Sequence, residues 1–387
     1  MQKNKTKYFS FFAILCFFML FLNSFNFVYA EDNLFKDKID YSCSAKSAVM
    51  IEASTKRIVY SKNAYEALPM ASTTKIVTAI TAIENCDDLD KIITIDKSCV
   101  GVSGTSIYLK EGEQISIREL LYGLMLRSGN DASVALAKEI GGSVENFCAM
   151  MNNLAKKVGA QDSNFKNPHG LDENGHHTTA YDLALITAYA LENKDFAEIV
   201  KTKSIKICEG KENFRYLVNK NKLLNSLEGC IGVKTGFTDD AGRCLVSACE
   251  RDNLRFVCVV FNCGPMFEES SDMLKLAFQK FRMIEILPSY FYVKNVEVKN
   301  GKLDNVGLYS KQGLSLPLSI EEESNLSVEF NVPENLKAPL KKDDEVGEIQ
   351  IYFNNHLIFS EKVYTIEEVD SKLYKDKIKE ILDNWNA

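Results

Sequence analysis

Three short motifs, in chain order, carry side chains suited to acyl transfer. Ser72–Lys75, with the sequence STTK, supplies a hydroxyl nucleophile and an amine. Ser128–Asn130 (SGN) supplies a second hydroxyl and an amide, and Lys234–Gly236 (KTG) supplies another ammonium group, a hydroxyl and a backbone without a side chain. Together they provide a nucleophile, an amine that can activate it and groups that can bind a substrate, which predicts acyl transfer through a serine ester.

The first motif places Ser72 and Lys75 three residues apart, on one face of a predicted helix over 72–84. A serine at a helix start lies beside backbone N–H groups and the positive end of the helix dipole, which suits a developing oxyanion. A lysine with an ordinary pKa of about 10.4 is a poor base at neutral pH, so burial or a second cation must lower that pKa. Lys234 is the candidate cation. The S-x-x-K pattern alone is weak, because Ser163–Lys166 matches it too.

The second motif lies between predicted helices over 117–125 and 132–140. Ser128 is a candidate proton relay between Lys75 and the leaving group. Asn130 is a candidate to hydrogen-bond a substrate amide and to orient Lys75. The alternative is a plain turn with a helix cap, because Ser, Gly and Asn all favour such positions.

The third motif closes a predicted strand whose edge can pair with an extended peptide. Lys234 supplies positive potential and Thr235 a hydroxyl for a substrate carboxylate. Gly236 leaves room for close backbone approach, and the N–H of Phe237 is a candidate to form an oxyanion hole with that of Ser72. The alternative is an ordinary strand end followed by a turn glycine.

The order of predicted elements positions these motifs. A β-hairpin over 48–60 comes first, and a helical block over 72–190 carries the first two motifs. Strands over 229–235 and 244–261 follow, and then a helix over 271–286. This order predicts an α+β fold in which a mostly antiparallel sheet, built from both ends of the segment, is flanked by helices and carries an inserted helical subdomain.

The N-terminus has the pattern of a secretory signal peptide. Three lysines precede an apolar run over Phe9–Leu22, and Val28–Ala30 offers a cleavage site. Residues 1–30 hold no acidic residue, so their removal takes the formal net charge from −7 to −10. Such a charge argues against a nucleic-acid partner, and it predicts an exported protein that recognises anions only locally. An uncleaved N-terminal anchor is the alternative.

Ten of the eleven cysteines lie beyond the predicted signal peptide, and none forms a C-x-x-C pair. The chain is far longer than a disulfide-stapled miniprotein, and several of these cysteines lie in apolar, strand-like runs. The four histidines lack zinc-ligand spacing with the cysteines, so we expect no metal and no organic cofactor.

The composition changes after Leu287. Residues 290–366 alternate polar and apolar in short runs, which predicts a small all-β sandwich domain. Residues 371–387 predict an amphipathic helix with apolar side chains, including Trp385, on one face. Two alternatives stay open for this helix: it attaches to a membrane surface, or it packs against the β-domain.

Segments around the motifs extend the pattern. The chain over about 35–287 resembles the penicillin-binding D-alanyl-D-alanine carboxypeptidases, serine peptidases of the β-lactamase/transpeptidase-like fold. The resemblance rests on Leu68–Lys75, Leu126–Ala132, the Lys234–Gly236 motif with its spacing, and Asn167–Asp172 after the helical insert. The C-terminal region is similar to the family's β-domain and membrane-attachment helix.

The resemblance implies Ser72 as the acyl-ester nucleophile, Lys75 as the proton acceptor, Ser128 as the relay and Lys234 as a substrate-binding residue. It implies an exported enzyme, at the outer face of the cytoplasmic membrane or in the wall space, that removes the terminal D-alanine from peptidoglycan stem pentapeptides. β-Lactam antibiotics are then expected to acylate Ser72 as substrate mimics.

Two positions depart from the family pattern. Phe237 follows the KTG motif where some members have histidine, and Lys220 stands where relatives often place a carboxylate-binding arginine. Lysine lacks the bidentate fork of arginine. Two rival functions stay open: a β-lactamase, for which Glu173 is a deacylating base in an unexpected context, and a β-lactam or wall-fragment receptor without turnover.

Overall fold

A computed structural model of the chain describes residues 34–375, together with Ile378 and Trp385. The predicted signal peptide and most of the predicted helix over 371–387 lie outside the described residues. The chain divides into two compact units, one over Asp37–Met283 and one that includes Ile284 onwards. No helix among the described residues is long and apolar enough to cross a membrane.

The strands are β1 (Ser47–Glu52), β2 (Ile58–Lys62), β3 (Ile92–Thr94), β4 (Gln114–Ser116), β5 (Ser204–Ile207), β6 (Arg215–Val218), β7 (Cys230–Thr238), β8 (Gly242–Arg251), β9 (Leu254–Phe261), β10 (Phe281–Leu287), β11 (Tyr292–Lys299), β12 (Asn305–Ser310), β13 (Leu314–Ser319), β14 (Leu326–Asn331), β15 (Asn335–Lys337), β16 (Glu345–Phe353) and β17 (His356–Thr365).

The α-helices are α1 (Lys75–Glu84), α2 (Ile117–Tyr122), α3 (Asn130–Gly141), α4 (Val144–Lys157), α5 (Ala180–Ala190), α6 (Lys194–Lys201), α7 (Leu223–Ser226), α8 (Met266–Lys280) and α9 (Ile320–Glu323). Short 3₁₀ turns cover Ala71–Thr74 and Lys97–Cys99, and a π-helical turn covers Gly123–Arg127.

The larger unit is built on an antiparallel sheet with the strand order β2-β1-β9-β8-β7. Strand β1 is buried on both faces, and its residues alternate between two cores. Val49 and Ile51 face the core formed with the helical block. Ala48 and Met50 face the core that includes α8. The predicted α+β fold with its antiparallel sheet and helical insert is confirmed.

Helix α1 runs through the middle of the helical block. Every residue from Lys75 to Ile83 is buried, and only Glu84 at the end is exposed. A helix that is apolar around most of its circumference belongs in a core. The consequence for function is that Lys75 is carried into the interior.

Two predicted helices have different ends in the structure. Instead of a single helix over 72–84, a 3₁₀ turn precedes α1. The helix predicted over 271–286 is wrong at its C-terminal end, because α8 stops at Lys280 and β10 follows. The apolar side chains of residues 281–286 fit both helical and alternating spacing. The segment forms a strand because β10 pairs with β13.

The smaller unit is a β-domain, as predicted. A six-stranded sheet has the order β14-β16-β17-β12-β11-β15, and β10 pairs with β13 in a two-stranded sheet. Leu287 and Leu316 share one apolar core with Val306, Ile349 and Val363 of the larger sheet. The second layer of this domain is therefore only two strands wide.

Candidate active site

Ser72 lies in the 3₁₀ turn that leads into α1, and it is half-buried. The hydroxyls of the next two residues hold this turn, because Thr73 Oγ1 donates to the Met70 carbonyl at 2.6 Å and Thr74 Oγ1 to the Ala71 carbonyl at 2.9 Å. Short hydroxyl side chains that bond back to the chain are typical of helix starts. The STTK sequence thus stabilises the backbone turn that presents Ser72, the candidate nucleophile.

Lys75 is fully buried, and its ammonium nitrogen contacts three oxygen atoms. Nζ lies 3.0 Å from Ser72 Oγ, 2.7 Å from Asn130 Oδ1 and 2.6 Å from the carbonyl oxygen of His169. The predicted approach of the Ser72 hydroxyl and the Lys75 amine is present. In the ammonium form the three contacts use all three N–H donors; in the neutral amine the lone pair can accept from the Ser72 hydroxyl instead.

A second buried lysine lies in the same region. Lys234 is 1% exposed on β7, and its Nζ donates to the carbonyl of Thr235 at 2.9 Å. Burial, followed by the positive charge of Lys220, lowers the pKa of Lys234 to about 7. Burial, followed by the charges of Lys234 and Lys220, also holds the pKa of Lys75 well below its ordinary value. Within the described part of the chain neither ammonium group pairs with a carboxylate.

Ser128 occupies a strained position between the π-helical turn and α3. Its φ of 69° is left-handed, which is uncommon for a residue with a side chain. The residue is 4% exposed, and its Oγ makes no hydrogen bond to any described residue. The structure does not join Ser128 to Lys75 by a hydrogen bond, so it leaves a buried hydroxyl whose bonding capacity is unused.

Asn130, the first residue of α3, connects Lys75 to a neighbouring loop. Its Oδ1 accepts from Lys75, as predicted, and its Nδ2 donates to the carbonyl of Ser103 at 2.6 Å. The backbone N–H of Asn130 also donates to the Thr105 carbonyl, at 2.7 Å. Gly104 lies between these contacts, and a Cβ built there would approach Asn130 Nδ2 to 2.7 Å.

The KTG motif lies on β7, the last strand of the five-stranded sheet, so one edge of β7 pairs with no other described strand. At Gly236 this strand packs against the 3₁₀ turn that carries Ser72. A Cβ at Gly236 would lie 3.0 Å from the Ser72 backbone nitrogen and 3.1 Å from the Met70 carbonyl oxygen. Thr235 is half-buried, and the Phe237 side chain is 63% exposed.

Sequence reasoning noted the Asn167–Asp172 segment but assigned it no contact with the nucleophile. In the structure its His169 carbonyl binds Lys75, and Gly170 touches the Ser72 turn so closely that a Cβ would lie 1.9 Å from the Ala71 carbonyl oxygen. Asp172 accepts from Thr238 Oγ1 at 2.8 Å, which ties the segment to β7.

His176 contacts the 3₁₀ turn that carries Ser72. Sequence reasoning assigned this histidine no role. Its Nδ1 accepts from the Lys166 N–H at 3.0 Å, so in the neutral ring Nε2 carries the proton and donates to Thr74 Oγ1, also at 3.0 Å. Burial lowers the pKa of His176 to about 4. Burial, followed by the Lys75 charge, also lowers the pKa of His169 to about 4. Both rings are neutral at pH 7.

Asp131 organises the loop over 103–109 and was missed as well. Its carboxylate accepts from the Ser106 hydroxyl at 2.6 Å and from the backbone N–H groups of Ile107 and Leu109 at 3.0 Å each. The one sequence signal for this role of Asp131 is that it directly follows the SGN motif. Among the described residues, no three potential metal ligands converge near Ser72.

Lys220 is exposed, and its backbone N–H donates to the Leu126 carbonyl at 3.2 Å. Partial burial, with the neighbouring Arg127 charge, lowers the pKa of Lys220. Its charge acts on both buried lysines. It therefore extends the positive region around Lys234 to the solvent.

Comparisons with known proteins agree with this geometry. Residues 35–264 match the family described as D-alanyl-D-alanine carboxypeptidase, and residues 281–371 match the C-terminal domain of penicillin-binding protein 5. The chain is 33% identical over 350 residues to the D-alanyl-D-alanine carboxypeptidase DacF of Bacillus subtilis strain 168, which covers 88% of this chain and 90% of that protein.

Two further relatives support the same assignment. The chain is 31% identical over 348 residues to DacC of Escherichia coli K12, with 85% of each chain covered. The structure of penicillin binding protein 5 from Haemophilus influenzae superposes with a TM-score of 0.70 at 25% identity, and it covers 86% of this chain and 99% of that one. The chain therefore belongs to the D-alanyl-D-alanine carboxypeptidase family of serine peptidases.

Proposed function

We propose that this chain removes the terminal D-alanine from peptidoglycan stem pentapeptides through an acyl ester on Ser72, as part of cell-wall maturation. One observation carries the proposal. The amine of Lys75, fully buried and with its pKa held well below the ordinary value, lies 3.0 Å from the Ser72 hydroxyl. A neutral amine at this distance is a general base for a serine nucleophile.

In the acylation step, Lys75 accepts the Ser72 proton while Oγ attacks the carbonyl of the penultimate D-alanine. The proton must then reach the nitrogen of the leaving D-alanine. Ser128 is suited to relay it, because its buried hydroxyl bonds to no described residue and is available to the leaving group. Water then hydrolyses the ester and regenerates Ser72.

Charge that develops on the carbonyl oxygen needs hydrogen-bond donors. The backbone N–H groups of Ser72 and Phe237 are the proposed pair. Support comes from Gly236, which lets β7 approach the Ser72 nitrogen as closely as a glycine permits. The exposed side chain of Phe237 has no part in this step.

The substrate is proposed to extend along the open edge of β7. Its terminal carboxylate would then meet Thr235 and the positive potential of Lys234, which Lys220 reinforces. Asn130 Nδ2 holds one proton beyond its bond to Ser103 and can donate it to a substrate amide.

The contacts favour a peptidase over a β-lactamase. Rapid hydrolysis of a β-lactam ester needs an additional base for deacylation. No carboxylate among the described residues hydrogen-bonds to Ser72 or Lys75, and Glu173 is held by Asn167 Nδ2 at 2.9 Å. An acyl group delivered by a β-lactam should therefore persist on Ser72.

Export is proposed from the signal-like residues 1–30 and from the location of the substrate outside the cytoplasmic membrane. Attachment of residues 371–387 to the membrane surface remains a prediction from their sequence. A β-lactam and the stem peptide are the partners that the site itself would bind.

The deciding experiment measures D-alanine release from a diacyl-D-Ala-D-Ala peptide and, separately, the mass of the protein after exposure to penicillin. We expect release by the native chain, a stable adduct on the Ser72 peptide, and loss of both in Ser72→Ala. Ser163→Ala, which changes the other S-x-x-K serine, is the matched control and should keep both activities. An adduct without D-alanine release would indicate a receptor, and rapid drug turnover a β-lactamase.

A further inference from the structure

A second cluster of reactive side chains lies outside the active site, in the core on the α8 side of the sheet. Cys43 precedes β1, Cys263 follows β9, and Glu269 lies in the first turn of α8. The two sulfur atoms and a carboxylate oxygen all lie within 4.8 Å of one another, and all three residues are buried. Two segments more than 200 positions apart, one with Cys43 and one with Cys263 and Glu269, therefore bring their ligand-type atoms together.

The contacts within the cluster centre on a single carboxylate oxygen. Cys43 Sγ lies 2.8 Å from Glu269 Oε2, and Cys263 Sγ lies 3.3 Å from it. The backbone N–H of Ser44 donates to both carboxylate oxygens, at 3.1 and 3.0 Å. Ser44 Oγ lies 3.9 Å from Cys263 Sγ, and Ser44 is exposed.

The cluster has an unbalanced charge. Glu269 is 8% exposed, and in the described part of the chain no cationic side chain lies within ion-pair distance of it. The nearby Lys62 is bound to the Cys43 carbonyl at 2.6 Å instead. Its described hydrogen-bond partners are the two thiols and the backbone N–H of Ser44, all of which are neutral donors. A buried carboxylate of this kind normally has a cationic partner or a metal ion.

We propose that Cys43, Cys263 and Glu269 bind one thiophilic divalent cation of the zinc class. Two thiolates and one carboxylate are ligands that zinc accepts in tetrahedral geometry, and the exposed Ser44 side leaves the fourth position to its hydroxyl or to solvent. On binding, each thiol releases one proton to solvent and forms a metal–sulfur bond. The ion bonds directly to the carboxylate, which has no cationic partner among the described residues, and the net charge of the cluster stays at −1 because the two charges of the ion replace two protons.

The site would have a structural consequence. It joins the segment before β1 to residues more than 200 positions later in the chain. A ligand that binds only the folded state stabilises that state by mass action, so the bound ion should raise the melting temperature. The acylation of Ser72 should not change, because the cluster shares no residue with the active site.

The test uses the purified full chain, prepared with a reductant and without a chelator. Metal content is measured by elemental analysis, and Cd²⁺ is then titrated while the ultraviolet thiolate-to-cadmium band is recorded. We expect one equivalent of zinc or cadmium and a melting temperature about 5 °C higher than after chelation. β-Lactam acylation serves as the readout that the rest of the protein is intact.

Variants locate the ligands. Cys43→Ala and Cys263→Ala should each lower the bound metal at least tenfold, and so should Glu269→Gln, which keeps an acceptor for the Ser44 N–H. Cys86→Ala changes a thiol outside the cluster and should bind like the native chain. Equal binding by Glu269→Gln, absence of metal from the reduced native chain, or a mass lower by two hydrogens from a Cys43–Cys263 disulfide would each overturn the proposal.

Discussion

Two regions of the larger unit bury charge without a counter-charge, and they have opposite signs. Around Ser72, Lys75 and Lys234 are buried with no carboxylate bonded to either. Around Cys43, Glu269 is buried with no cation within reach among the described residues. A buried lysine can become neutral by losing a proton, which makes it a base. The carboxylate accepts hydrogen bonds from three neutral donors, and direct bonding to a metal ion from solution is the proposed way to pair it.

The strongest test of this difference is Lys75→Arg. Arginine keeps the positive charge but does not lose its proton at any ordinary pH, so the base disappears while the charge stays. We expect acylation by a β-lactam and release of D-alanine to fall about 1,000-fold. Stopped-flow acylation measures the loss, with the exposed Lys156→Arg as control. Activity within tenfold of the native chain would contradict the role of Lys75 as base.

Gly170→Ala tests whether the loop that holds the lysine is needed. Its φ is 85°, and a Cβ would lie 1.9 Å from the Ala71 carbonyl oxygen, so the turn that carries Ser72 must shift. We expect a loss of more than about 3 kcal/mol in the free energy of unfolding, or an acylation rate lowered about 100-fold in the folded protein.

Gly159→Ala is the matched control for that variant. Gly159 has a similar φ of 89° but nothing within 4 Å of the built Cβ, so it shows the backbone cost alone. A cost of about 1 kcal/mol is expected there. If the two variants behave alike in denaturant unfolding, close packing of the loop is not what positions Ser72.

Lys234→Gln tests how much one buried lysine lowers the pKa of the other. Acylation should rise with pH as Lys75 loses its proton. Removal of the Lys234 charge raises the pKa of Lys75, so the acidic limb of the profile should move to higher pH. The first-order acylation constant at saturating β-lactam, measured from pH 5 to 9, separates this shift from weaker binding. An unmoved limb would show that burial and the Lys220 charge lower the pKa of Lys75 without a contribution from Lys234.

Glu269→Gln tests the carboxylate in the metal-free, reduced protein. The lowered pKa of Glu269 contributes stability above the unfolded value of 4.5, and this contribution is lost as the pH falls through the folded value. We expect the variant to lose about 1 kcal/mol at pH 7 and the difference from the native chain to shrink as the pH falls below 4.5. Urea unfolding at several pH values measures both. A difference that does not depend on pH would mean that the carboxylate is not held in its charged form.

The smallest effect is expected for Phe237→Ala. Only the backbone of this residue is proposed to act, and its side chain is 63% exposed. D-Alanine release should stay within about twofold of the native rate. A larger loss in the D-alanine assay would assign the ring a part in substrate binding.

Local patterns were predictable from the sequence, and contacts between distant segments were not. The Ser72–Lys75 pair follows from helical spacing, and the hairpin of β8 and β9 follows from two apolar runs around a turn. The His169 carbonyl that binds Lys75 comes from a loop 94 positions away, and a backbone oxygen leaves no mark in a sequence.

The cluster of Cys43, Cys263 and Glu269 is a second example of a contact between distant segments that the sequence does not reveal. The spacing of cysteines and histidines could not reveal this cluster, because spacing rules describe ligands that share a short segment. Cys43 and Glu269 are 226 positions apart and meet only because the segment before β1 packs against α8. The predicted boundaries of the two domains, the signal peptide and the C-terminal helix remain predictions from composition.

Gly236 packs against the Ser72 backbone, so under the proposed binding mode the edge of β7 sets the position of the substrate relative to Ser72 Oγ. Each substrate residue bound along that edge would then lie at its own distance from Ser72 Oγ. A slip by one residue turns every side chain to the opposite face. A slip by two moves the carbonyl by roughly 6.6 Å, beyond the roughly 3.5 Å at which an oxygen can attack. With the substrate carboxylate bound at Thr235, only one peptide bond would lie within reach of Ser72 Oγ. The site would then need no deep pocket for the side chain of the departing residue.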